Sequence, residues 1–401
     1  MNPEKFLQSL LDSRVRASAS PSHRGQHPTR IRVLQALQRG SLCIPDLAEM
    51  TDVTRQTTYR AVAPLEEAGL VRERNGRYTL TCSGARLLQA YSDIDTEVTI
   101  ESLARLARSS HQQWLLCAFS EDSIRKNNLV ERALDERGIS RTTVHRIITC
   151  LQRDGYIELR AGVYDLSETG ELLHQAFEQL QTIASGAIEY HKFIRWLPTE
   201  LDSFPLEALE DSTLIHNTPD QPHNVLNAFV SAAKLDLDGL RGMSAIRSPA
   251  LDQAYRPVIE HTPSVTAIFT DQVLFQFHGD HRFVDYAAQD DYSMYLEEGY
   301  IRPSARLLFV PGPIPLQLAI YDDSRVIMAP APSTGVTEAE STALESSDSC
   351  IIEWILDLFN EYLEGARPPI RVFQEHVANA LRDEQGRGRL VQSSLPHTKA
   401  T

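Results

Sequence analysis

The sequence is poor in lysine and lacks any apolar run long enough to cross a membrane. Five of the 39 basic residues are lysines, whereas 54 residues are acidic. Scarce lysine beside abundant Asp and Glu is typical of a high-salt archaeal cytoplasm, and a GC-rich genome favours arginine in the same way. No apolar run approaches the roughly 20 residues of a membrane span, and residues 1–6 lack the layout of a secretory signal. The sequence therefore predicts a cytoplasmic protein with no membrane partner.

Cysteine is scarce as well, and familiar catalytic motifs are missing. The five cysteines are odd in number and widely spaced, without a CxxC pair. We expect free thiols in a reducing compartment, with Cys117 packed in the core; a thiol or metal sensor is the alternative. His278-Gly-Asp-His281 offers metal-ligand types but no third partner at suitable spacing, so a polar loop without metal or cofactor is predicted. Because GxSxG, HExxH and a phosphate loop with its lysine are absent, an enzyme is disfavoured.

An internal repeat is the main feature that is present. At a constant offset of 86 positions, ten residues recur without a gap. The pairs are Arg55 and Arg141, Thr57 and Thr143, Arg60 and Arg146, Leu65 and Leu151, Gly69 and Gly155, Arg74 and Arg160, Gly76 and Gly162, Tyr78 and Tyr164, Leu80 and Leu166, and Gly84 and Gly170. The period is too long and the copies too few for a solenoid, so two tandem small domains are predicted.

The first copy has the pattern of a helix-turn-helix. Helices are expected at residues 29–39 and 45–50. Thr54 is the candidate N-cap of a third helix, which Gly69 ends. The buried face of this helix is predicted to consist of Tyr59, Val62, Ala63 and Leu65. Residues 70–80 then alternate apolar and polar side chains around Asn75-Gly76, a strong hairpin signal because both positions need positive φ. This hairpin is the predicted wing.

A third helix held in this way presents its first turns to a major groove. Arginine can bind the edge of guanine there, and glutamine that of adenine. Arginines on the wing would meet phosphates, which gives affinity but little sequence information. The DNA-binding candidates of the first copy are Thr54, Arg55, Gln56, Thr57, Tyr59, Arg60, Arg72, Arg74, Asn75 and Arg77. The alternative is an ordinary solvated helix face.

The second copy repeats this plan with a different wing. We expect helices at 112–119 and 127–137, Ser140 as the cap of the third helix, and a hairpin over 156–166 that turns at Ala161-Gly162. Its DNA-binding candidates are Arg141, Thr142, Thr143, His145, Arg146 and Arg160. On its wing Glu158, Leu159 and Val163 replace Arg72, Glu73 and Arg77. The first copy is therefore the predicted principal reader, and the second reads an adjacent site or serves as a spacer or dimerisation surface.

The charge distribution agrees with DNA as a partner better than the total charge does. The formal net charge is −15. Residues 1–91 have 13 basic and 8 acidic side chains, a net of +5, residues 92–181 have 10 and 15, a net of −5, and residues 182–401 have 16 and 31, a net of −15. The acidic C-terminal half is expected to keep the molecule soluble and to avoid non-specific DNA contacts.

From about residue 196 short β-rich runs alternate with helical stretches. Predicted strands are 213–216, 242–246, 265–270, 306–310, 316–321 and 325–328, and predicted helices are 224–233, 249–260, 283–292 and 349–362. This alternation favours an α/β domain with a largely parallel sheet. A polar, disordered tail is expected from residue 382.

Ligands of such domains collect at the carboxyl ends of the strands. The ligand-binding candidates there are His216, Thr218, His223, Asn224, Arg247, Ser248 and Thr270. A small anionic or polar effector could be held by Arg247 and by amides at a helix start. The alternative is that these residues only cap helices and turns.

Several segments, together with the N-terminal helix-turn-helix and wing, resemble a known group. These segments are Phe193-Ile-Arg-Trp-Leu-Pro198, Asn217-Thr-Pro-Asp-Gln-Pro-His223, Gly242-Met-Ser-Ala-Ile-Arg-Ser-Pro249 and Leu318-Ala-Ile-Tyr-Asp-Asp323. They resemble the haloarchaeal winged helix-turn-helix transcriptional regulators, whose C-terminal region is related to the middle domain of a methanogenesis regulator. The resemblance covers roughly residues 28–370. It implies DNA-binding regulation as a homodimer, and the second repeat departs from its usual single winged helix.

We therefore predict a multidomain protein of mixed α+β and α/β class. Its expected parts are an N-terminal extension (1–27), two winged helix-turn-helix domains (28–98 and 99–183), an α/β regulatory domain (184–372), and a helix end with a disordered tail (373–401). The predicted function is transcriptional regulation through double-stranded DNA, with a sensor or dimerisation domain that takes a small-molecule effector. The alternative is a protein-interaction adaptor that binds no DNA. A phosphodiesterase is disfavoured because its His-x-Lys-x4-Asp motif is missing.

Overall fold

The computed structural model divides the chain into two compact units, Met1–Glu210 and Asp211–Thr401. It describes residues 2–11, 27–201, 203–233, 236–246, 248–273, 300–302, 304–334, 336–337, 341–372 and 374–375. The predicted helix at 283–292, the loop His278–His281, Arg247 and the tail from residue 382 lie outside these ranges. Among the described residues, no helix is both long enough and apolar enough to span a membrane.

The first unit is mainly helical, with two small hairpins. It contains the helices α1 (Pro3–Leu11), α2 (Thr29–Leu37), α3 (Ile44–Met50), α4 (Arg55–Glu67), α5 (Cys82–Ser92), α6 (Ile100–Ala107), α7 (Ser110–Glu121), α8 (Lys126–Arg137), α9 (Arg141–Arg153), α10 (Glu168–Glu189) and α11 (His191–Ile194). Its strands are β1 (Leu42–Cys43), β2 (Val71–Arg74), β3 (Arg77–Leu80), β4 (Ile157–Arg160) and β5 (Val163–Leu166). Helices α2 to α4 with β2 and β3 form the first winged helix-turn-helix, and α7 to α9 with β4 and β5 form the second.

The two copies have the same local geometry, as the gapless repeat predicts. Asn75 and Gly76 turn the first hairpin at φ values of 55° and 75°, and Ala161 and Gly162 turn the second at 51° and 82°. These positive φ values are those of the two-residue hairpin turn expected from the sequence. Both wings are therefore confirmed.

A glycine in the helix after each wing allows that helix to approach the wing backbone closely. A Cβ atom added at Gly84 would lie 2.1 Å from the Leu70 carbonyl oxygen, and one at Gly170 would lie 1.9 Å from that of Tyr156. Neither distance is physically possible, so only glycine fits. The same backbone carbonyls accept hydrogen bonds from Thr81 and Ser167, which precede α5 and α10.

The buried face of α4 differs from the prediction. Thr58, Ala61, Val62 and Leu65 are the buried residues, whereas Tyr59 is 60% exposed and Ala63 is exposed as well. The spacing i, i+3, i+4, i+7 begins at Thr58 and not at Tyr59, so Tyr59 points away from the core. The predicted burial of Tyr59 and Ala63 was wrong.

Two parts of the first unit lie beyond the predicted winged helices. Helix α1, inside the segment taken as an N-terminal extension, buries Phe6, Leu7, Leu10 and Leu11 and packs against α6 and α10. Helix α10 continues past residue 183, where the second winged helix-turn-helix domain was predicted to end. The following segment folds back on it, since the Tyr190 hydroxyl donates to the Leu209 carbonyl. The compact unit therefore extends to Glu210, further than the boundary placed at 183.

The second unit is a mixed sheet with helices. Its helices are α12 (Asn224–Ala232), α13 (Pro249–His261) and α14 (Ser349–Gly365). Its strands are β6 (Thr213–His216), β7 (Gly239–Ser244), β8 (Ser264–Thr270), β9 (Tyr300–Arg302), β10 (Ala305–Val310), β11 (Leu316–Tyr321), β12 (Arg325–Pro330) and β13 (Thr342–Ser346). Within the described part of the chain these eight strands form one sheet in the order β6-β13-β12-β11-β7-β8-β10-β9.

The sheet is not largely parallel, which corrects the sequence interpretation. Strand β8 is parallel to β7 and to β10, but every other pair in the sheet is antiparallel. The βα alternation that suggested a parallel sheet holds from β7 through α13 to β8. Strands β11 and β12 are joined by a tight turn at Asp322 and Asp323, both at positive φ, and a hairpin of this kind is necessarily antiparallel. Strand β13 was not predicted.

We expect Gly84→Ala and Gly170→Ala each to lower the free energy of unfolding of the first unit by about 1–3 kcal/mol or more, because the added methyl group must displace a backbone carbonyl. Urea unfolding followed by circular dichroism measures this. Gln179→Ala is the control, since Gln179 is exposed on α10 of the same unit. If Gly84→Ala were as mild as Gln179→Ala, the close packing of α5 on the wing would be refuted.

Candidate nucleic-acid interface

The recognition helix α4 begins with a complete N-terminal cap. The Thr54 hydroxyl accepts a hydrogen bond from the Thr57 amide at 3.2 Å, and it lies 3.0 Å from the Thr57 hydroxyl. The buried Thr58 hydroxyl donates to the Thr54 carbonyl at 3.1 Å. Thr54 and Thr57 therefore fix the first turn of the helix, as N-cap residues do, and this turn sets the direction of the side chains that follow.

Four side chains of α4 form an outward face. Arg55, Gln56, Tyr59 and Arg60 are all exposed, and their spacing of i, i+1, i+4 and i+5 places them on one side of a helix. Neither arginine forms an ion pair with any residue in the described part of the chain. The face thus presents two cations, an amide and an aromatic ring.

The first wing is supported by a third strand and by a hydrogen-bonded arginine, and a second arginine is exposed at its tip. Strand β1 pairs with β3, so the wing belongs to a three-stranded sheet. The Arg77 guanidinium donates to the Ser41 hydroxyl at 3.3 Å and to the Ser41 carbonyl. Arg74 and Asn75 are exposed at the tip.

Arg72 has a different environment from the other wing arginines. Its guanidinium carbon lies 5.4 Å from the centroid of the Trp196 ring, and that of Arg195 lies 5.0 Å from the same centroid. Burial, then the charges of Arg74 and Arg195, lower the pKa of Arg72 below its usual value. The geometry is that of a cation–π contact, which joins the wing to the segment after α11.

The second recognition helix, α9, repeats the first closely. The Ser140 hydroxyl accepts from the Thr143 amide at 3.3 Å and lies 3.0 Å from the Thr143 hydroxyl. Arg141, Thr142 and Arg146 are exposed. His145 is half-buried, and its pKa is lowered by desolvation and then by the charges of Lys126 and Arg141, which favours its neutral form.

The second wing differs from the first in its charge. The Arg160 guanidinium donates to Glu158 at 2.8 Å, and the two form an ion pair within the strand. Leu159 between them is 48% exposed. In this wing Arg160, which is paired with Glu158, stands at the position of Arg74 in the first wing. The apolar Leu159 stands at the position of Glu73.

The candidate ligand residues of the second unit separate into two groups. The Asn224 amide donates to the His216 carbonyl at 3.3 Å, and the Thr218 hydroxyl accepts from the Gln221 amide at 3.1 Å, so these groups shape the loop between β6 and α12. Thr270 is buried at the end of β8.

His223 and Ser248 line a cavity beneath α12 and α13. Arg247 lies outside the described residues. Sequence reasoning did not identify most residues of this cavity, because apolar and small side chains along a strand have no motif to distinguish them from ordinary core.

Cys117 also differs from its prediction. Its side chain is half-buried and not part of the core, and burial followed by the charge of Glu121 raises the pKa of its thiol. A raised pKa keeps the thiol protonated, which is typical of an unreactive cysteine.

The fold and the site define a protein with two tandem winged helix-turn-helix domains followed by an α/β unit. Comparison with protein families agrees. Residues 23–103 and 100–187 each match the HVO_A0261 N-terminal domain, and residues 220–365 match the middle domain of the methanogenesis regulatory protein FilR1. Residues 23–187 are thus similar to two successive HVO_A0261 N-terminal domains and residues 220–365 to one FilR1 middle domain, which confirms the resemblance seen in the sequence motifs.

Solved structures give more distant similarities. TrmBL2, described as an archaeal chromatin protein with a novel mode of DNA binding, is 13% identical over 71% of this chain and 98% of its own, with a TM-score of 0.30. NucT from Helicobacter pylori and the phospholipase D family member Nuc from Salmonella typhimurium are 14% and 13% identical over 39% of this chain and 98% of theirs, each with a TM-score of 0.27. These TM-scores support no inference about activity. No curated protein matches the chain.

The contact between Arg72 and Trp196 predicts an energetic coupling of about 0.5–2 kcal/mol, the range of partly buried cation–π pairs. A double-mutant cycle with Arg72→Gln and Trp196→Leu, followed by urea unfolding, measures it. Arg74→Gln paired with Trp196→Leu is the matched control, because Arg74 lies exposed two residues further along the same strand. Equal coupling in both cycles would show that Arg72 has no specific contact with the ring.

Proposed function

We propose that this protein is a sequence-specific DNA-binding regulator of transcription and that its first winged helix is the principal reader. The observation that carries the proposal is the outward face of α4, on which Arg55, Gln56, Tyr59 and Arg60 are exposed directly after the Thr54 N-cap. The similarity of the C-terminal unit to a domain of the regulator FilR1 supports the same class of function.

The chemistry of this face fits base recognition in a major groove. Arg55 and Arg60 can each donate two hydrogen bonds to the O6 and N7 atoms of guanine, and Gln56 can pair with adenine. The exposed ring of Tyr59 can contact a thymine methyl group. Thr54 and Thr57 act by holding the helix start, and a helix of this kind enters the groove with its N-terminal residues first.

The wing supplies contacts to the DNA backbone. Arg74 and Asn75 at the tip, and Arg77 anchored on Ser41, can meet phosphates, which add affinity without selecting a sequence. Arg72 would support this surface indirectly, since its guanidinium is stacked on Trp196.

The second winged helix has an assisting role in this proposal. Its helix face, with Arg141, Thr142, Thr143, His145 and Arg146, can read an adjacent site. Its wing offers little to a phosphate, because Glu158 neutralises Arg160. The exposed Leu159 and Leu134 favour a contact with protein, and a second copy of the chain in a homodimer is the partner we propose.

The α/β unit has a regulatory role in this proposal. It would sense a small molecule through residues near His223 and Ser248, and its acidic surface would keep it away from DNA. Since the matched family names a regulator and not a catalyst, we propose no catalytic role for it. Inside the cell the protein would act as a DNA-binding switch that responds to this small molecule.

Genome-wide occupancy of the tagged protein tests the principal proposal. We expect discrete promoter peaks for the wild type and loss of most peaks for Arg55→Ala/Arg60→Ala, because each lost guanine contact costs about 1–3 kcal/mol. Arg141→Ala/Arg146→Ala is the matched control at the equivalent positions of the second copy. Circular dichroism of each purified variant checks that it is folded.

The outcomes of this experiment separate the competing functions. Peaks that vanish only in the second variant would make α9 the reader, and peaks that persist in both would contradict recognition by these arginines. An absence of peaks for a folded, expressed wild-type protein would favour an adaptor that binds proteins through its winged helices.

The wings predict a difference in salt dependence. On an operator taken from the promoter peaks, Arg74→Ala should reduce the slope of log K against log salt concentration by about 0.9, the value for one phosphate contact. Arg160→Ala should leave the slope unchanged because Glu158 already pairs with Arg160. Fluorescence anisotropy at several salt concentrations measures both. An equal reduction by the two variants would show that the second wing also contacts phosphate.

A further inference from the structure

The second unit contains a cavity of about 500 Å³ between one face of the sheet and the helices α12 and α13. This volume lies within the range of roughly 300–1,000 Å³ that small-molecule sites have in proteins. The cavity is partly open to solvent and has walls that are mostly apolar. It is therefore large enough for an organic molecule.

Small residues in the sheet create the floor of the cavity. Gly242 on β7 pairs with Ala319 on β11 and with Ala267 on β8, so three small residues lie side by side across three strands. All three line the cavity. A Cβ atom at Gly242 would meet only the Leu318 carbonyl oxygen, at 3.8 Å. Side chains of ordinary size at these positions would fill the space under the helices.

Several large apolar side chains that line the cavity are not fully buried. Phe229, Leu251, Tyr255, Ile259 and Phe269 are half-buried, although Leu240 and Val265 in the same lining are buried. When an apolar ligand covers apolar surface inside a concave site, the burial of that surface favours binding.

Polar groups gather at one end of the cavity. Asn217, His223, Ser244, Ser248 and Gln317 are among the lining residues. The Ser244 hydroxyl accepts from the Ile246 amide at 3.2 Å and lies 3.1 Å from the Gln317 side-chain oxygen. These groups can donate and accept hydrogen bonds, so they would orient one end of a bound molecule.

The charge of the lining disfavours an anion. The described lining residues include Asp252 but no lysine or arginine. A buried ionised ligand needs an opposite charge to offset its desolvation, and the described lining residues supply no positive charge for an anion. Because the walls are also mostly apolar, they favour an uncharged ligand.

We propose that this cavity binds a small, uncharged and largely apolar molecule that has one hydrogen-bonding end. The molecule would lie on Gly242, Ala267 and Ala319, contact Phe229 and Tyr255 with its apolar body, and direct its polar end toward Asn217 and Gln317. The inference extends the effector role in the proposed function, but binding itself does not require DNA.

The test uses N-phenyl-1-naphthylamine, an uncharged aromatic probe with one N–H group whose fluorescence rises in apolar surroundings. The full-length protein is titrated in the absence of DNA. We expect saturable binding of one probe per chain. Ala319→Leu and Ala267→Leu should each weaken it by about tenfold or more, because a leucine side chain occupies volume that the probe needs.

Asn227→Leu is the matched control, since it places a leucine side chain at an exposed position of α12 that does not line this cavity. Its affinity for the probe should stay within about twofold of the wild type, as for most surface substitutions. Cooperative thermal unfolding shows which variants are folded. If the leucine variants do not fold, Gly242→Ala decides, because its added methyl group meets nothing closer than 3.8 Å yet projects into the cavity.

Loss of binding in the filling variants with retention in Asn227→Leu supports the proposal. Equal binding in all variants would place the probe elsewhere on the molecule and overturn the proposal, and absence of saturable binding to the wild type would overturn it as well. Since DNA is not present, failure of the promoter experiment would leave this result unchanged. A regulator without this ligand site would bind promoters but not the probe.

Discussion

The close packing of a helix against a wing strand determines the architecture of the first unit. At Gly84 and at Gly170 the helix backbone approaches the carbonyl of the residue just before the wing strand, Leu70 or Tyr156, more closely than any Cβ would permit. This contact fixes where the wing lies relative to the helix that follows it. In each copy three residues separate the end of the recognition helix from the start of the wing strand, so this short connection restricts the direction of the helix as well. Two glycines 86 positions apart thus give both copies the same frame.

On this common frame the two copies have diverged at their surfaces. The recognition helices retain exposed arginines at equivalent positions, but the wings differ. In the first wing Arg74 is exposed at the tip and Arg72 is stacked on Trp196, whereas in the second wing Glu158 holds Arg160. Both wings bury a tyrosine at the equivalent position, Tyr78 and Tyr164, and both turn at two residues with positive φ, so the fold of the hairpin does not require this difference. The divergence lies in the side chains that would face a partner.

The sequence was sufficient to predict the local structure of both copies, because each signal was short in range. The Asn75-Gly76 pair determines a hairpin by its backbone preferences, and Thr54 and Ser140 mark helix starts by their hydroxyl groups. The predicted burial of Tyr59 was wrong because two buried stripes of α4, shifted by one residue, both fit the periodicity of an amphipathic helix. The candidate site residues remain predictions until their contacts with DNA are measured.

Features that depend on distant residues were not predictable. Nothing in the neighbourhood of Arg72 indicates that Trp196, more than a hundred residues further on, covers it. The direction of the strands in the second unit also depends on pairing across long connections, and local βα alternation suggested more parallel pairs than exist. The cavity could not be seen at all, since Gly242, Ala267 and Ala319 become neighbours only through the register of three strands.

The distribution of charge explains how an acidic protein can still be suited to DNA. The net charge of −15 equals that of residues 182–401, while residues 1–91 have a net of +5. At an ionic strength near 1 M the Debye length is about 3 Å, so repulsion between the acidic unit and DNA phosphates is screened, and contacts within hydrogen-bonding distance persist. At such salt concentrations counterion release contributes little to affinity, which places more of the binding free energy on base contacts. The exposed face of α4 offers such contacts in the first copy, and its arginines are not paired with carboxylates in the described chain. An acidic protein can therefore recognise DNA through a few well-placed side chains. At high salt this mode of binding is favoured over the broad basic surface that many DNA-binding proteins use.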